Sequence, residues 1–158
     1  METKSEQNYL KEGLAAQHTI FERLKWYYDK LPRYTIEESP EGSRKDLIEK
    51  IDITVTDTLN DTEIKYDIKS TKYEDKITYT YINPLGRNSK LANGDFSIDF
   101  IFTFGTYNIG YIVKAEDLYD VLQDRIRAKK TYKGKTNPKS KYIWLTVDDI
   151  KNMAGWKK

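Results

Sequence analysis

The sequence contains no cysteine and a single histidine among its 158 residues. The absence of cysteine excludes a disulfide framework and a zinc site built from thiolates. With one histidine, we expect neither a serine–histidine triad nor a metal site built from several imidazoles. Carboxylates and amines are abundant instead, with 25 Asp and Glu and 27 Lys and Arg. Any catalytic centre therefore has to be sought among these charged residues.

Long hydrophobic runs are also missing. No apolar stretch approaches the roughly 20 residues of a membrane span, and the chain opens without a signal-peptide pattern. We therefore expect a soluble cytoplasmic protein with no membrane partner. The length predicts one domain, residues 1–158, with one hydrophobic core. The net charge of +2 does not by itself indicate a nucleic-acid ligand.

Two neighbouring runs, residues 51–58 and 62–69, alternate between apolar and polar side chains. A period of two residues predicts two β-strands. Asn60 and Asp61 lie between the runs, and both residue types tolerate a positive φ. The segment therefore predicts a β-hairpin with a tight turn at these two residues.

A hairpin centred on this turn has a defined register, with residue 52 opposite residue 69 and residue 54 opposite residue 67. Directly opposed residues share a face of the ribbon, so Asp52, Asp67 and Lys69 are predicted to point to the same side. Two carboxylates can hold a hard divalent cation such as Mg²⁺, and a nearby lysine can stabilise charge that develops on a phosphate. The alternative is a solvated hairpin face with mixed charges, since such faces are common.

A resemblance to a known family favours the catalytic interpretation. The run Asp46-Leu47-Ile48-Glu49-Lys50-Ile51-Asp52, followed by Tyr66-Asp67-Ile68-Lys69-Ser70, resembles the PD-(D/E)XK nucleases, also called the restriction-endonuclease-like superfamily. It is most similar to small nuclease-like proteins of phages and prophages. The later runs 99–104 and 111–114 resemble their third and fourth landmarks, so the likeness touches most of residues 20–122.

The resemblance implies roles for individual residues. Asp52 and Asp67 would be the metal ligands for Mg²⁺, with Mn²⁺ as an alternative, and Lys69 would be the catalytic lysine. An acidic residue on the first helix often completes the family's site, and Glu22 is the best match. Two departures concern Lys50, where relatives often have His, and the strand 77–82, which carries no supporting acid or Gln.

Basic residues are concentrated late in the chain. Eight Lys and Arg residues and no acid lie in a predicted loop region, residues 125–141. Such a segment can neutralise several phosphates, although a solvated loop is the alternative. The loop 83–94 carries two further candidates. The predicted nucleic-acid contacts are Arg87, Lys90, Lys129, Lys130, Lys133 and Lys135.

The pattern along the chain predicts an α/β protein with a mixed sheet flanked by helices, which is compatible with the restriction-endonuclease-like fold that the resemblance implies. Helices are predicted at 6–30, 115–127 and 148–153, with a connector at 43–49. Strands are predicted at 33–38, 51–58, 62–69, 77–82, 98–104, 109–113 and 142–147.

These observations predict a metal-dependent nuclease that hydrolyses the phosphodiester bonds of DNA, as an endonuclease or an exonuclease. If the gene belongs to a phage, the protein would act in the host cytoplasm, and restriction-type relatives often form homodimers. The first alternative is an inactive protein on the same fold that binds nucleic acid or a host protein, in an anti-defence or regulatory role. The second is a structural phage component, for which the hairpin is only architecture.

Overall fold

The structure is a computed structural model that describes residues 4–40, 50–105 and 110–154, with the side chains of the first helix described from Ala15 onward. The elements in these ranges are α1 (Lys4–Tyr28), β1 (Tyr34–Glu38), β2 (Ile53–Asp57), β3 (Thr62–Thr71), β4 (Lys76–Ile82), β5 (Asp99–Phe104), β6 (Gly110–Val113), α2 (Ala115–Arg127), β7 (Tyr132–Lys133), β8 (Lys141–Thr146) and α3 (Val147–Met153).

The strands form two sheets. A five-stranded sheet has the order β1-β2-β3-β5-β6, and a three-stranded sheet has the order β4-β8-β7. Strands β3 and β5 are parallel, whereas the other neighbouring strands are antiparallel. The chain leaves the larger sheet after β3, forms β4 in the smaller one and returns as β5. This mixed sheet with helices confirms the predicted α/β class.

Helix α1 covers one face of the larger sheet. Its residue Ile20 packs in a buried cluster with Ile53 and Val55 of β2, Tyr66 of β3 and Ile101 of β5. The alternation of side chains along a strand sends these residues to one face and their sequence neighbours to the other. On β3, the residues on either side of Tyr66 therefore face away from α1.

The opposite face of the larger sheet packs against the smaller sheet and the later helices. Phe100 and Phe102 of β5 belong to one buried cluster with Leu118 and Leu122 of α2 and Leu145 of β8. Burial of each large apolar side chain contributes about 1.5–3 kcal/mol relative to its exposure. Strand β3 thus presents its second face, which carries Asp67 and Lys69, toward the space between the two sheets.

The β2–β3 hairpin has a register that differs by two residues from the prediction. Ile53 pairs with Tyr66 and Thr54 pairs with Lys65, so residue 54 does not lie opposite residue 67. The turn is longer than predicted and spans residues 58–61. Because the shift is an even number of residues, it leaves every side chain on its predicted face.

A network around Asp57 explains the longer turn. Its Oδ1 accepts hydrogen bonds from the backbone N–H groups of Leu59 and Asn60 at 3.1 and 3.3 Å. Arg33 donates to both carboxylate oxygens, at 2.7 and 2.6 Å. Asp61, and not Asn60, adopts the left-handed conformation, with φ at 52°. The tight turn predicted at Asn60 and Asp61 is therefore replaced by a four-residue turn held by Asp57.

Most predicted elements lie within two or three residues of the observed ones. The helix predicted at 115–127 has those bounds, and the first helix begins and ends two residues before the predicted 6–30. The short strand β7 was not predicted and lies inside the predicted basic loop. The connector predicted at 43–49, which includes Asp46, lies outside the described residues.

Candidate functional site

Asp52 lies at the entry to β2 and is tied to both neighbouring strands. Its backbone N–H donates to the carbonyl of Tyr66 at 2.8 Å, and its own carbonyl accepts from Ser39 at 2.8 Å. Its carboxylate Oδ2 accepts the backbone N–H of Ile68 at 2.7 Å. In a regular β-ladder a backbone carbonyl would accept the N–H of Ile68. Here the Asp52 carboxylate takes the place of that carbonyl. This fixes the carboxylate against β3.

Asp67 lies between the two β3 residues that Asp52 contacts. Continuing the observed register by one residue pair puts Asp52 directly opposite Asp67, so their carboxylates share a face. Lys69 follows two residues later on the same face, and its Nζ lies 3.0 Å from Asp67 Oδ2. The structure therefore brings together the three side chains that the sequence singled out.

The closeness of the two carboxylates changes the pKa of Asp52. The pKa of Asp52 is raised to about 7, first by burial and then by the negative charge of Asp67. The hydrogen bond from Ile68 and the charge of Lys69 oppose this rise without cancelling it. The pKa of Lys69 is raised, mainly by the charge of Asp67. A buried pair of acids with one amine favours an added positive charge.

A cavity of about 430 Å³ opens beside this pair. Its wall includes Asp67 and Lys69 from β3, Tyr79 from β4, and residues of the loop between β4 and β5. The charged residues that line it are Lys50, Asp67, Lys69, Arg87, Lys90 and Asp95. Cations outnumber acids in this wall, so the cavity suits an anionic ligand placed next to the two aspartates.

The loop that carries Arg87 has a defined turn. The Asn83 side chain accepts hydrogen bonds from the N–H groups of Leu85 and Arg87, both at 3.0 Å. Gly86 adopts a φ of 79°, a conformation that favours glycine. The backbone N–H of Asn83 also donates to the carbonyl of Arg87 at 2.9 Å. Arg87 is therefore presented at the cavity by a hydrogen-bonded turn.

Tyr79 and Ser89 are cavity residues that the sequence analysis did not single out. Their hydroxyl groups lie 3.0 Å apart, and burial raises the pKa of Tyr79. Tyr79 also lies close enough to Lys69 for the lysine charge to affect its hydroxyl. The sequence predicted a strand at 77–82, which includes Tyr79, but gave no sign that this side chain borders a polar cavity.

Glu22 is not placed beside Asp52 and Asp67. Its carboxylate lies 3.7 Å from His18 Nε2, one turn earlier on α1, and its side chain is 58% exposed. His18 also lies 3.5 Å from Glu38 of β1. Helix α1 packs on the face of the sheet opposite to Asp67, which explains the separation.

The basic segment 125–141 contains two arginines in ion pairs, followed by exposed lysines. Arg125 is paired with Asp149 at 3.0 Å, and Arg127 is paired with Asp124. The four lysines predicted to contact nucleic acid are exposed and follow α2, on and around β7; they are Lys129, Lys130, Lys133 and Lys135. They do not line the cavity, unlike Arg87 and Lys90.

The side chains around Asp52 and Asp67 indicate how a metal ion could be bound there. Across residues 4–40, 50–105 and 110–154, no group of three or more His, Asp or Glu side chains converges as a metal site. Mg²⁺ commonly binds through one or two carboxylates and keeps several waters or phosphate oxygens as its other ligands. Asp52 and Asp67 supply hard oxygen donors of this kind. The two residues thus fit Mg²⁺ or Mn²⁺ held mainly by water and substrate.

Comparisons with known proteins add a structural likeness. No protein-family model and no curated protein matches the chain. Among solved structures, D212, described as a nuclease from a fusselovirus, is similar with a TM-score of 0.50 and 18% sequence identity. The match covers 94% of this chain and 87% of that chain. At this identity the likeness is one of fold.

The helices offer no membrane span. Among the described residues, none of them combines the length and the apolar character needed to cross a bilayer.

Proposed function

We propose that the protein is a magnesium-dependent deoxyribonuclease of the PD-(D/E)XK type. The observation that carries the proposal is the meeting of Asp52, Asp67 and Lys69 on one face of the β2–β3 ribbon, at the wall of a cation-rich cavity. The fold likeness to D212, a protein described as a nuclease, supports it. Of the two runs that carry the resemblance, Tyr66 to Ser70 lies on β3, and Asp52, which ends the other, directly precedes β2.

Asp52 and Asp67 would hold the metal ion, either Mg²⁺ or Mn²⁺. When bound, such an ion polarises a phosphate oxygen and lowers the pKa of a bound water. Asp52 has to lose its proton to act as a ligand, and its pKa of about 7 makes metal affinity rise with pH across neutrality. The hydrogen bond from Ile68 to Oδ2 would hold the Asp52 carboxylate in a fixed orientation for the ion.

Lys69 acts through its charge and its protons. Asp67 holds its Nζ at 3.0 Å and raises its pKa, so the amine is protonated at neutral pH. A protonated lysine donates hydrogen bonds and cannot serve as a general base. Its role is therefore to orient the attacking water and to stabilise negative charge as the phosphorane forms. Arg87 and Lys90 bind the flanking phosphates along the cavity wall.

The first experiment measures cleavage of supercoiled plasmid and linear duplex DNA with Mg²⁺. We expect Lys69→Ala to lower the cleavage rate by roughly 100-fold or more, since removal of one preorganised charge-stabilising donor costs that much in other enzymes. Asp67→Asn removes a metal ligand and should abolish cleavage. Circular and linear substrates together distinguish an endonuclease from an exonuclease.

Matched controls come from the first helix. Lys25 and Asp29 form an exposed ion pair at 3.0 Å, the same separation as Lys69 and Asp67. Lys25→Ala and Asp29→Asn therefore remove an equal charge away from the cavity, and they should leave cleavage unchanged. Cleavage by Lys69→Ala at the wild-type rate, with purified protein, would contradict the proposal.

A binding protein without catalysis is the second candidate, because no third acidic or histidine ligand joins Asp52 and Asp67 in the described part of the chain. Isothermal calorimetry with Mg²⁺ and Mn²⁺ distinguishes the two. A nuclease should show metal binding that disappears in Asp67→Asn, with or without DNA. A protein that only binds nucleic acid should show DNA binding that is indifferent to the metal and to this substitution.

A further inference from the structure

The smaller sheet carries a row of aromatic side chains on its outer face. Tyr142 and Trp144 of β8 alternate with Ile143 and Leu145, which are buried on the inner face. Tyr132 of β7 pairs directly with Tyr142. We call Tyr132, Tyr142 and Trp144 the aromatic face.

The rings of this face lie close together. The Tyr132 and Tyr142 rings are stacked, with centroids 5.7 Å apart and an interplanar angle of 26°. Tyr142 and Trp144 are 6.1 Å apart and nearly perpendicular. Tyr132 is 48% exposed, and none of the three belongs to the hydrophobic clusters of the described residues. The rings therefore form a connected surface that the fold does not use as core.

Two threonines and a lysine lie beside the rings. Thr78 lies opposite Trp144 and Thr80 lies opposite Tyr142, and both threonines are exposed. The Nζ of Lys76 lies 4.8 Å from the centre of the Trp144 ring. Lys133 and Lys141 pair with each other one position along the strands, so alternation directs their side chains to the opposite face of this sheet. The aromatic face is thus bordered by short polar side chains and by positive charge.

The aromatic face adjoins the cavity. Thr80, the cross-strand neighbour of Tyr142, is itself one of the residues that line the cavity with Asp67 and Lys69. On the other side, the aliphatic chain of Lys139 lies 3.9 Å from the position that a Cβ on Gly86 would occupy. The loop before β8 therefore touches the turn that presents Arg87. A ligand lying on the rings can therefore reach the cavity past Thr80.

We infer that the aromatic face binds an unpaired strand of DNA by base stacking and guides it toward the cavity, an inference that rests on the nuclease function proposed above. Stacking on aromatic rings requires an accessible base face, which a duplex offers only at its ends. Proteins that bind single strands combine exposed rings with a groove of positive charge, and here the rings adjoin a cavity lined by Lys50, Lys69, Arg87 and Lys90. The substrate class is therefore DNA with single-stranded segments, such as tails and flaps.

The charge around the rings favours a nucleic acid over a protein partner. Lys76 lies over the Trp144 ring, Lys139 lies in the loop before β8 against Gly86, and the cross-strand neighbours of the rings on β4 are the uncharged Thr78 and Thr80. An unpaired strand exposes both its base faces and its phosphates. Phosphates can then reach the lysines while bases lie on the rings.

The experiment measures the affinity for a fluorescein-labelled oligo(dT) in EDTA, so that no cleavage takes place. Trp144→Thr and Tyr142→Thr remove the rings and retain a residue that favours β-strands. Because stacking contributes about 1–3 kcal/mol per base, each variant should bind roughly 5- to 150-fold more weakly. Trp144→Phe retains a ring and should bind within a few fold of the wild type. Circular dichroism verifies that each variant is folded.

Two controls isolate stacking. Trp26 on α1 is 68% exposed and has Lys30 Nζ 3.3 Å from its ring, so it is an exposed tryptophan–lysine pair away from the cavity. Trp26→Thr should bind oligo(dT) like the wild type. An abasic oligonucleotide of equal length carries the same phosphates without bases. It should bind weakly and with no difference between the wild type and Trp144→Thr.

Several outcomes would overturn the inference. These are oligo(dT) binding unchanged in Trp144→Thr and Tyr142→Thr, equal binding of the abasic strand, or loss of a concentration-dependent dimer as the only effect of the substitutions. The last result would assign the face to contact with another copy of the chain. Ring-dependent binding in EDTA without Mg²⁺-dependent cleavage would support the inference and contradict the nuclease proposal. Mg²⁺-dependent cleavage together with binding that does not depend on the rings would support the nuclease proposal and contradict the inference.

Discussion

The surroundings of Asp52 disfavour the ionised form of its carboxyl group. Burial and the neighbouring Asp67 raise its pKa to about 7, whereas an aspartate in the unfolded chain titrates near 4. Between these two values the folded protein holds a proton that the unfolded chain releases. The free energy of unfolding therefore falls as pH rises from about 4 to 7, and the full cost applies above 7.

This linkage leads to a prediction for Asp52→Asn. Asparagine keeps an oxygen that can accept the N–H of Ile68 and cannot ionise. In EDTA the variant should be more stable than the wild type at pH 8, on the order of a few kcal/mol, with a much smaller difference at pH 4.5. Urea denaturation at both pH values measures this. Asp29→Asn, at an exposed site, should show no such gain, and a variant less stable than the wild type at pH 8 would contradict the pKa assignment.

At the scale of elements, the β2–β3 hairpin depends on the network at its turn. Asp57 accepts from Arg33 and from two backbone N–H groups, and these donors, Arg33 first, hold the pKa of its carboxyl well below the usual range. A carboxyl with a lowered folded pKa stabilises the fold above its unfolded pKa near 4, and this contribution is lost as pH falls below that value. The turn thus carries a stabilisation that is present at neutral pH.

We predict that Asp57→Asn lowers the melting temperature by several degrees at pH 7, because one ionic partner of Arg33 and part of the turn's backbone capping are lost. The difference should already be smaller at pH 3, because the Asp57 carboxyl of the unfolded wild-type chain is protonated there while the folded carboxyl is still ionised. Arg33→Lys keeps the charge and cannot form the two-pronged contact, so its effect should be intermediate. Thermal scans at pH 7 and pH 3 measure both variants. A loss at pH 3 equal to that at pH 7 would show that the charge is not responsible.

The elements also differ in how accurately their sequences predicted their bounds and register. Helix α2 was predicted with its observed bounds because an apolar stripe that includes Leu118 and Leu122 runs along it. Strand β7 was missed because its two residues have no periodic pattern and form a strand only by pairing with β8. The hairpin register was wrong by two residues because a period-two pattern is the same before and after such a shift.

At the scale of the whole molecule, the basic segment and the cavity form separate regions of positive charge. Arg87 and Lys90 line the cavity, whereas Lys129, Lys130, Lys133 and Lys135 are exposed beyond α2. The net charge is only +2, so any attraction to DNA depends on where these cations lie and not on the total.

We predict that replacing Lys129, Lys130, Lys133 and Lys135 with serine reduces the salt dependence of DNA binding. Each phosphate contact contributes about 0.7–0.9 to the slope of log K against log salt concentration, so the slope should fall by roughly three. Fluorescence titrations between 50 and 300 mM KCl would measure it. The same four positions changed to arginine keep the charge and should keep the slope. An unchanged slope in the serine variant would mean that these lysines only solvate the loop.

The sequence alone determined which residues share a face, because alternation along a strand is a local property of the backbone. It therefore identified Asp52, Asp67 and Lys69 as a group and separated them from Ile53, Val55 and Tyr66. The tertiary structure decided everything that depends on packing between distant segments. It added Tyr79, Ser89 and Arg87 to one cavity and placed Glu22 on the other side of the sheet. It also raised the pKa of Asp52, since burial and a neighbouring charge exist only once β2 and β3 are paired and covered.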